Sequence, residues 1–178
     1  MTLGKRLWQG LATWMVGALV AGSAMAQVNH NPTTEPRIGP NHLIVLTFDK
    51  PVTAGTATVT AEGVGGTAAV GTTTFVGNEM QVQLTGVSDI QYVTVNVTNV
   101  VAADGGTGGV GSARIGFLKG DVNGSRSVSP LDQLAISPQL LQPVTAANYL
   151  KDVGANGSIT PLDLLAVSGN LLKALPTP

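Results

Sequence analysis

Two twelve-residue stretches place oxygen donors at the spacing a hard cation requires. Asp121, Asn123, Ser125, the Ser127 carbonyl and Asp132 stand at positions 1, 3, 5, 7 and 12 of the first stretch. Asp152, Asn156, the Ser158 carbonyl and Asp163 stand at positions 1, 5, 7 and 12 of the second. A calcium loop draws its ligands from these positions: position 7 gives its backbone carbonyl, and position 6 turns sharply and favours Gly. The four acids beyond residue 118 are Asp121, Asp132, Asp152 and Asp163, and all fall at positions 1 and 12. Acids placed only for solubility would scatter. The donor sets are lean, however. Each loop has two carboxylates, Ser125 is a weaker donor than Asp, Arg126 occupies the first loop's turn, and Gly154 leaves position 3 of the second loop to water. Affinity falls with ligand charge, so these loops predict weak calcium binding, in the range of ~10⁻⁴–10⁻³ M.

A second reading of the same residues needs no metal. Ser129-Pro130-Leu131-Asp132 and Thr160-Pro161-Leu162-Asp163 are helix starts, with Ser or Thr as N-cap, Pro at N1 and an acid at N3. Asp132 and Asp163 would then be capping acids, and Asp121 and Asp152 turn formers.

The two stretches belong to a tandem repeat offset by 31 residues, with 11 identities in 22 positions between 120–141 and 151–172. Such a pair buries a core that neither half could bury alone. After each loop the apolar period becomes helical. Leu131, Leu134, Ala135 and Leu141 lie on one face, and Leu162, Leu165, Ala166 and Leu172 on the equivalent face. Each helix has a breaker at the same offset, Pro138 or Gly169, where a kink or an early stop is expected. Val128 and Ile159, at position 8, are expected to pair across the loops. Residues 143–151 connect the units through a short helical turn.

Upstream the period is two. Met80, Val82 and Leu84 alternate with polar neighbours, as do Val93, Val95 and Val97. Further strand candidates are 42–48, 56–61, 68–76 and 112–118, separated by Gly-rich breaks. Six or seven short β-branched strands with regular turns predict an antiparallel sandwich. The expected fold class is therefore α+β in two modules: a β-sandwich over 42–118, then a small all-α repeat over 119–175, with units at 120–142 and 151–173. Residues 27–41, polar and Pro-containing, form a leader.

Residues 1–26 have the form of a secretory signal: Lys5 and Arg6, an apolar run from Leu7, and the small-x-small motif Ala24-Met25-Ala26. The alternative is a retained anchor, because Leu7–Ala26 is about long enough to span a bilayer. Cleavage would leave a secreted or cell-surface chain with no membrane span. It would carry seven basic and ten acidic residues, and neither Trp. That balance gives no basic patch for nucleic acid. The chain has no Cys, so an exported fold must do without disulfides.

The double loop–helix repeat resembles the type I dockerin, the duplicated F-hand calcium module of cellulosome-type systems. The family's motif, D-x-N-x-D-G-x-x-x-x-x-D before a Leu-rich helix, twice, has its counterpart over 120–175, with departures at Ser125, Arg126 and Gly154. The resemblance implies calcium in one or both loops. It also implies a cohesin-like protein partner held at loop positions 10 and 11, here Pro130-Leu131 and Pro161-Leu162, in either of two orientations. By family context it implies a part in extracellular polysaccharide degradation. Upstream, Ile44-Val45-Leu46-Thr47-Phe48-Asp49-Lys50-Pro51-Val52 and the late Asp104-Gly105-Gly106 loop resemble the Ig-like domains of bacterial surface proteins.

No catalytic constellation is visible. His30 and His42 are the two histidines, and no two sandwich acids pair as general acid and base. The Gly-rich run at 105–111 lacks the Lys and helix of a phosphate loop. No small-molecule substrate is evident. The sequence therefore points to a non-catalytic, exported anchoring protein. The alternative is a structural surface protein whose repeat is a metal-free stabilising module.

Overall fold

The computed structural model describes residues 13–19, 33–39 and 41–177. Among the described residues, eight strands make two four-stranded sheets. One has the order β1 (Thr13–Leu19), β3 (His42–Phe48), β6 (Glu79–Thr85), β5 (Ala69–Val76). The other has the order β2 (Thr33–Glu35), β8 (Gly109–Phe117), β7 (Gln91–Ala102), β4 (Val52–Glu62). Two of these pairings, β1 with β3 and β2 with β8, are parallel; the rest are antiparallel. Of the expected secretory leader, 1–12 and 20–26, with the Ala24–Ala26 motif, lie outside the described residues, as does His30.

The alternation read from the sequence sets the core. Ile44, Leu46 and Phe48 of β3 and Met80, Val82 and Leu84 of β6 face Val93, Val95 and Val97 of β7, and all are buried. Stiff β-branched side chains suit a pleated, half-buried surface. Intervening residues form a polar outer face, where Thr56, Thr58 and Thr60 of β4 pair with Thr98, Asn96 and Thr94 of β7.

The expected all-α C-terminal module is not what forms, and the described residues taken together are mostly β. Two short helices occur beyond residue 118, α1 (Pro130–Ile136) and α2 (Pro161–Ser168). Each begins with N-cap Ser129 or Thr160, Pro at N1, and a full capping box through Asp132 or Asp163. Each stops after two turns, at the positions where Pro138 and Gly169 stand. Pro cannot donate the next helical bond. The rest of the repeat is loop, with 3₁₀ turns at Ser137–Gln139 and Tyr149–Lys151 and isolated β-bridges from Ser127 to Ala174 and from Pro143 to Ser158. Helical periodicity in the leucines extended further than helical hydrogen bonding.

A second core lies under the repeat: Leu118, Val122, Val128, Ile136, Val153, Ile159, Val167 and Leu175, with Tyr92 of β7 among them. The repeat is thus built onto the sheet. Leu175 lies against Gly116, where a β-carbon would come within 2.5 Å of its Cδ1. Residues 33–39 strap across the junction. Their backbone gives Ile38 N–H to Val153 O (2.7 Å) and takes Gly120 N–H on Pro36 O (2.9 Å). Glu35 is buried against Arg37 in a two-pronged ion pair, and the Arg37 guanidinium stacks over the Tyr149 ring at 5.0 Å.

Candidate metal centre

The two loops share one hydrogen-bond plan. In the first, Asp121 accepts Ser125 N–H on Oδ1 (2.8 Å) and Arg126 N–H on Oδ2 (2.8 Å). Asp132 accepts Asn123 N–H on Oδ1 (3.1 Å) and Ser129 N–H on Oδ2 (2.9 Å). In the second, Asp152 accepts Asn156 N–H (3.1 Å) and Gly157 N–H (2.7 Å), and Asp163 accepts Gly154 N–H (2.9 Å) and Thr160 N–H (2.8 Å). So the acid at position 1 grips the amides of positions 5 and 6, and the acid at position 12 grips those of positions 3 and 9. All four acids are buried, at 4 % exposure or less. A buried carboxylate is retained where it is hydrogen-bonded or bears on an ion.

Burial pushes the Asp121 carboxyl above its ordinary range. The Arg126 and Ser125 amides and the nearby Thr34 hydroxyl oppose that shift, and Asp132 adds to it. The neighbouring negative charge is the condition a cation would relieve. The donor chemistry fits a hard cation: carboxylate, amide, hydroxyl and main-chain carbonyl oxygens, with no nitrogen or sulfur. Asp121, Asn123, Ser125, Ser127 O and Asp132 would hold it in the first loop, and Asp152, Asn156, Ser158 O and Asp163 in the second. The Ser125 hydroxyl donates to Ser127 O at 2.9 Å, so two of the first loop's candidate ligands bond to each other.

Position 6 was the one sharp turn expected from the sequence, yet each loop has two left-handed residues, at positions 4 and 6. They are Gly124 (φ 72°) and Arg126 (φ 69°) in the first loop, and Ala155 (φ 52°) and Gly157 (φ 88°) in the second. Each loop therefore has one Gly and one strained residue, in opposite order. Leu141 (φ 62°) and Leu172 (φ 70°) are left-handed too, at equivalent positions. Leu141 N–H bonds Ile159 O (2.8 Å) and Leu172 N–H bonds Val128 O (2.9 Å). Val128 and Ile159 do enter one core. Their backbones pair with the segment behind the opposite helix, which fastens each loop to the other repeat.

Leu131 and Leu134 of α1 and Leu162 and Leu165 of α2 face outward, as do Leu141 and Leu172 behind the helices, whereas Leu164 packs on the core. Asp132 and Ile136 are the buried residues of α1, and Asp163 and Val167 those of α2. Leu131, Leu134 and Leu141 are 64 %, 67 % and 81 % exposed, and Leu162, Leu165 and Leu172 are 67 %, 65 % and 95 % exposed. Pro130 and Pro161 are exposed beside them. The partner positions read from the sequence thus lie on two equivalent apolar faces.

Several contributors escaped the sequence reading. Asn148 is buried and ties the 143–151 connection together: its Oδ1 accepts Thr145 N–H at 2.6 Å and its side-chain amide donates to Pro143 O. The Glu35–Arg37 pair lies in what looked like a leader. His42 is buried beside Phe117 and donates from Nε2 to Gly39 O at 2.8 Å; burial lowers its pKa. Their bonds are local, Arg37 to Glu35, Asn148 to Thr145 and His42 to Gly39, but no motif in the sequence marks such short polar pairings as buried.

No curated protein and no solved structure matches the chain. Among the described residues, no helix is long and apolar enough to cross a membrane. Residues 119–172, the two loop–helix units together, match the family described as the dockerin type I domain.

Proposed function

We propose that this chain is an exported, non-catalytic anchoring protein whose C-terminal repeat binds calcium weakly and docks to a cohesin-like domain. One observation carries the reading: the same six leucines that repeat in sequence stand exposed at matching positions of the two repeats, four of them on α1 and α2, each helix set by a loop with ligand-type oxygens. Soluble surfaces seldom leave six leucines uncovered in a regular arrangement, and such patches mark protein contact. A bound calcium ion would supply compensating charge to the paired carboxylates and fix the loop from which each helix starts. The chain's own residues do the rest. Asp132 and Asp163 cap α1 and α2, Ile136 and Val167 anchor them, and Leu131, Leu134, Leu162 and Leu165 face outward. The two-fold repeat gives a partner two equivalent ways to bind. The dockerin match supports a cellulosome-type role, and a part in extracellular polysaccharide degradation is our extension of it by family context. Calorimetric titration of the full chain with cohesin-type domains, in calcium and in EDTA, tests this. Saturable binding that weakens in EDTA supports the reading; no binding to any such domain in calcium would sink it.

The seat of the repeat on the sandwich favours a second reading, a structural surface protein stabilised by a metal-free C-terminal module. Tyr92, Leu118 and Leu175 share one core, and the strap bonds both repeats. Under this reading EDTA leaves stability unchanged, whereas removing 119–178 destabilises the sandwich.

A further inference from the structure

We infer that Asn123 is a self-modifying position, converting to an aspartyl or isoaspartyl residue without an enzyme, while its counterpart Asn156 is protected by the fold. Asn-Gly occurs twice in the chain, as Asn123-Gly124 and Asn156-Gly157. Gly carries no side chain to obstruct its own amide nitrogen. That nitrogen attacks Cγ of the preceding Asn, a C–N bond forms, and the side-chain nitrogen leaves as ammonia. Water then opens the five-membered imide at one of its two carbonyls. One water is consumed, one ammonia is released, and nothing is oxidised or reduced.

The two asparagines are alike in most respects. Both are exposed. Both accept on Oδ1 from the N–H two residues on, at 2.9 Å from Ser125 and 3.0 Å from Ser158. The difference is in the nucleophile. Gly157 N–H is donated to the Asp152 carboxylate at 2.7 Å. A charge-assisted bond of that length keeps the proton on nitrogen and points the N–H into the loop. Gly124 N–H reaches only the Asp121 main-chain oxygen, at 3.4 Å. That is beyond the usual range for such a bond. The cause is an offset in sequence. The position-1 acid grips the amide of position 6, which is Arg126 in the first loop and Gly157 in the second. Asn-Gly falls at positions 3–4 of the first loop and 5–6 of the second, so only the second Gly is held. The product places a negative charge at loop position 3. The reaction itself does not depend on metal binding; a changed calcium affinity would, and rests on the docking-module reading.

The test is peptide mapping by mass spectrometry of the full chain aged in mildly alkaline buffer with EDTA, folded and, in parallel, in urea. In the folded protein Asn123 should convert roughly tenfold or more faster than Asn156, the scale of one hydrogen bond to a charged group. In urea the two rates should converge. Folded Asp152→Ala protein should bring Asn156 toward the Asn123 rate. Equal rates in the folded chain, a faster Asn156, or an Asn123 that ages only in urea would each overturn the inference.

Discussion

The first and second loops follow one hydrogen-bond plan with different residues, and the differences show which features the fold requires. Both loops keep the acids at positions 1 and 12, and both bend left-handed at positions 4 and 6. The first places Gly at 4 and strains Arg126 at 6; the second strains Ala155 at 4 and places Gly at 6. The acids cannot trade places in this way, because each buried carboxylate accepts two loop amides. A left-handed non-Gly residue costs roughly 1–2 kcal/mol. A hydrogen bond to a charged group is worth about 1.5–3 kcal/mol, and each acid accepts two. The repeat tolerates the strain once per loop and keeps the bonds.

The largest effects should come from the shared core. Ile136→Ala, at a fully buried site, should lower stability by about 2–5 kcal/mol. Val167→Ala, at the equivalent site, should lower it somewhat less. Urea denaturation followed by circular dichroism should show both helices lost in one transition. Loss of one helix alone would mean the repeats fold separately and the comparison is misplaced.

Next are the capping acids. Asp132→Ala and Asp163→Ala each remove an N-cap partner and free two amides, so each should cost about 2–3 kcal/mol. Similar losses are expected, since the bonds are matched. A large loss in only one would show that the loops are alike in geometry and unlike in energy.

Relieving strain should work in the other direction. Arg126→Gly and Ala155→Gly should each stabilise by up to about 1 kcal/mol, the left-handed strain less the added freedom of the unfolded chain. Arg126→Gly also removes a cation beside the first loop. It should therefore tighten calcium there in a calorimetric titration, while Ala155→Gly should not.

Surface changes should barely touch folding. Leu131→Asp and Leu162→Asp lie on exposed faces and should shift stability by no more than about 0.5 kcal/mol. Either one should weaken partner binding by roughly a factor of two, because one orientation remains. The double change should abolish binding.

The smallest expected effect separates the strap from the loops. Burial depresses the pKa of His42 below its ordinary 6.5, so the unfolded chain takes up a proton that the folded chain refuses. The corresponding stability is present above about 6.5 and is lost as pH falls below it. His42→Gln should flatten that slope in melts followed against pH.

The strands were legible because burial on one face writes period two into the sequence. His42–Phe48 was bounded to the residue, and the alternation of Val93, Val95 and Val97 described β7 correctly. The capping boxes were equally plain, since Ser or Thr, Pro and Asp stand at fixed offsets. The helical extent was misjudged because Leu140, Leu141, Leu171 and Leu172 continue the apolar pattern beyond Pro138 and Gly169, where bonding has already passed to 3₁₀ turns and cross-repeat bridges. Arg37, Asn148 and the left-handed Leu141 and Leu172 left no trace in spacing. Leu141 and Leu172 are set by how the tail of each repeat wraps the other loop, Arg37 by Glu35 and the Tyr149 ring, and Asn148 by atoms of its own connection. The second left-handed position was hidden for a similar reason: Ala155 carries no turn signature of its own.

Calcium titration of the full chain by calorimetry, beside Asp121→Ala and Asp152→Ala, bears most directly on the loops as paired metal sites. The account predicts weak, saturable heat that each substitution reduces by about half and that the double substitution removes. A flat titration of folded protein would contradict it and leave the four buried acids as capping and turn groups alone.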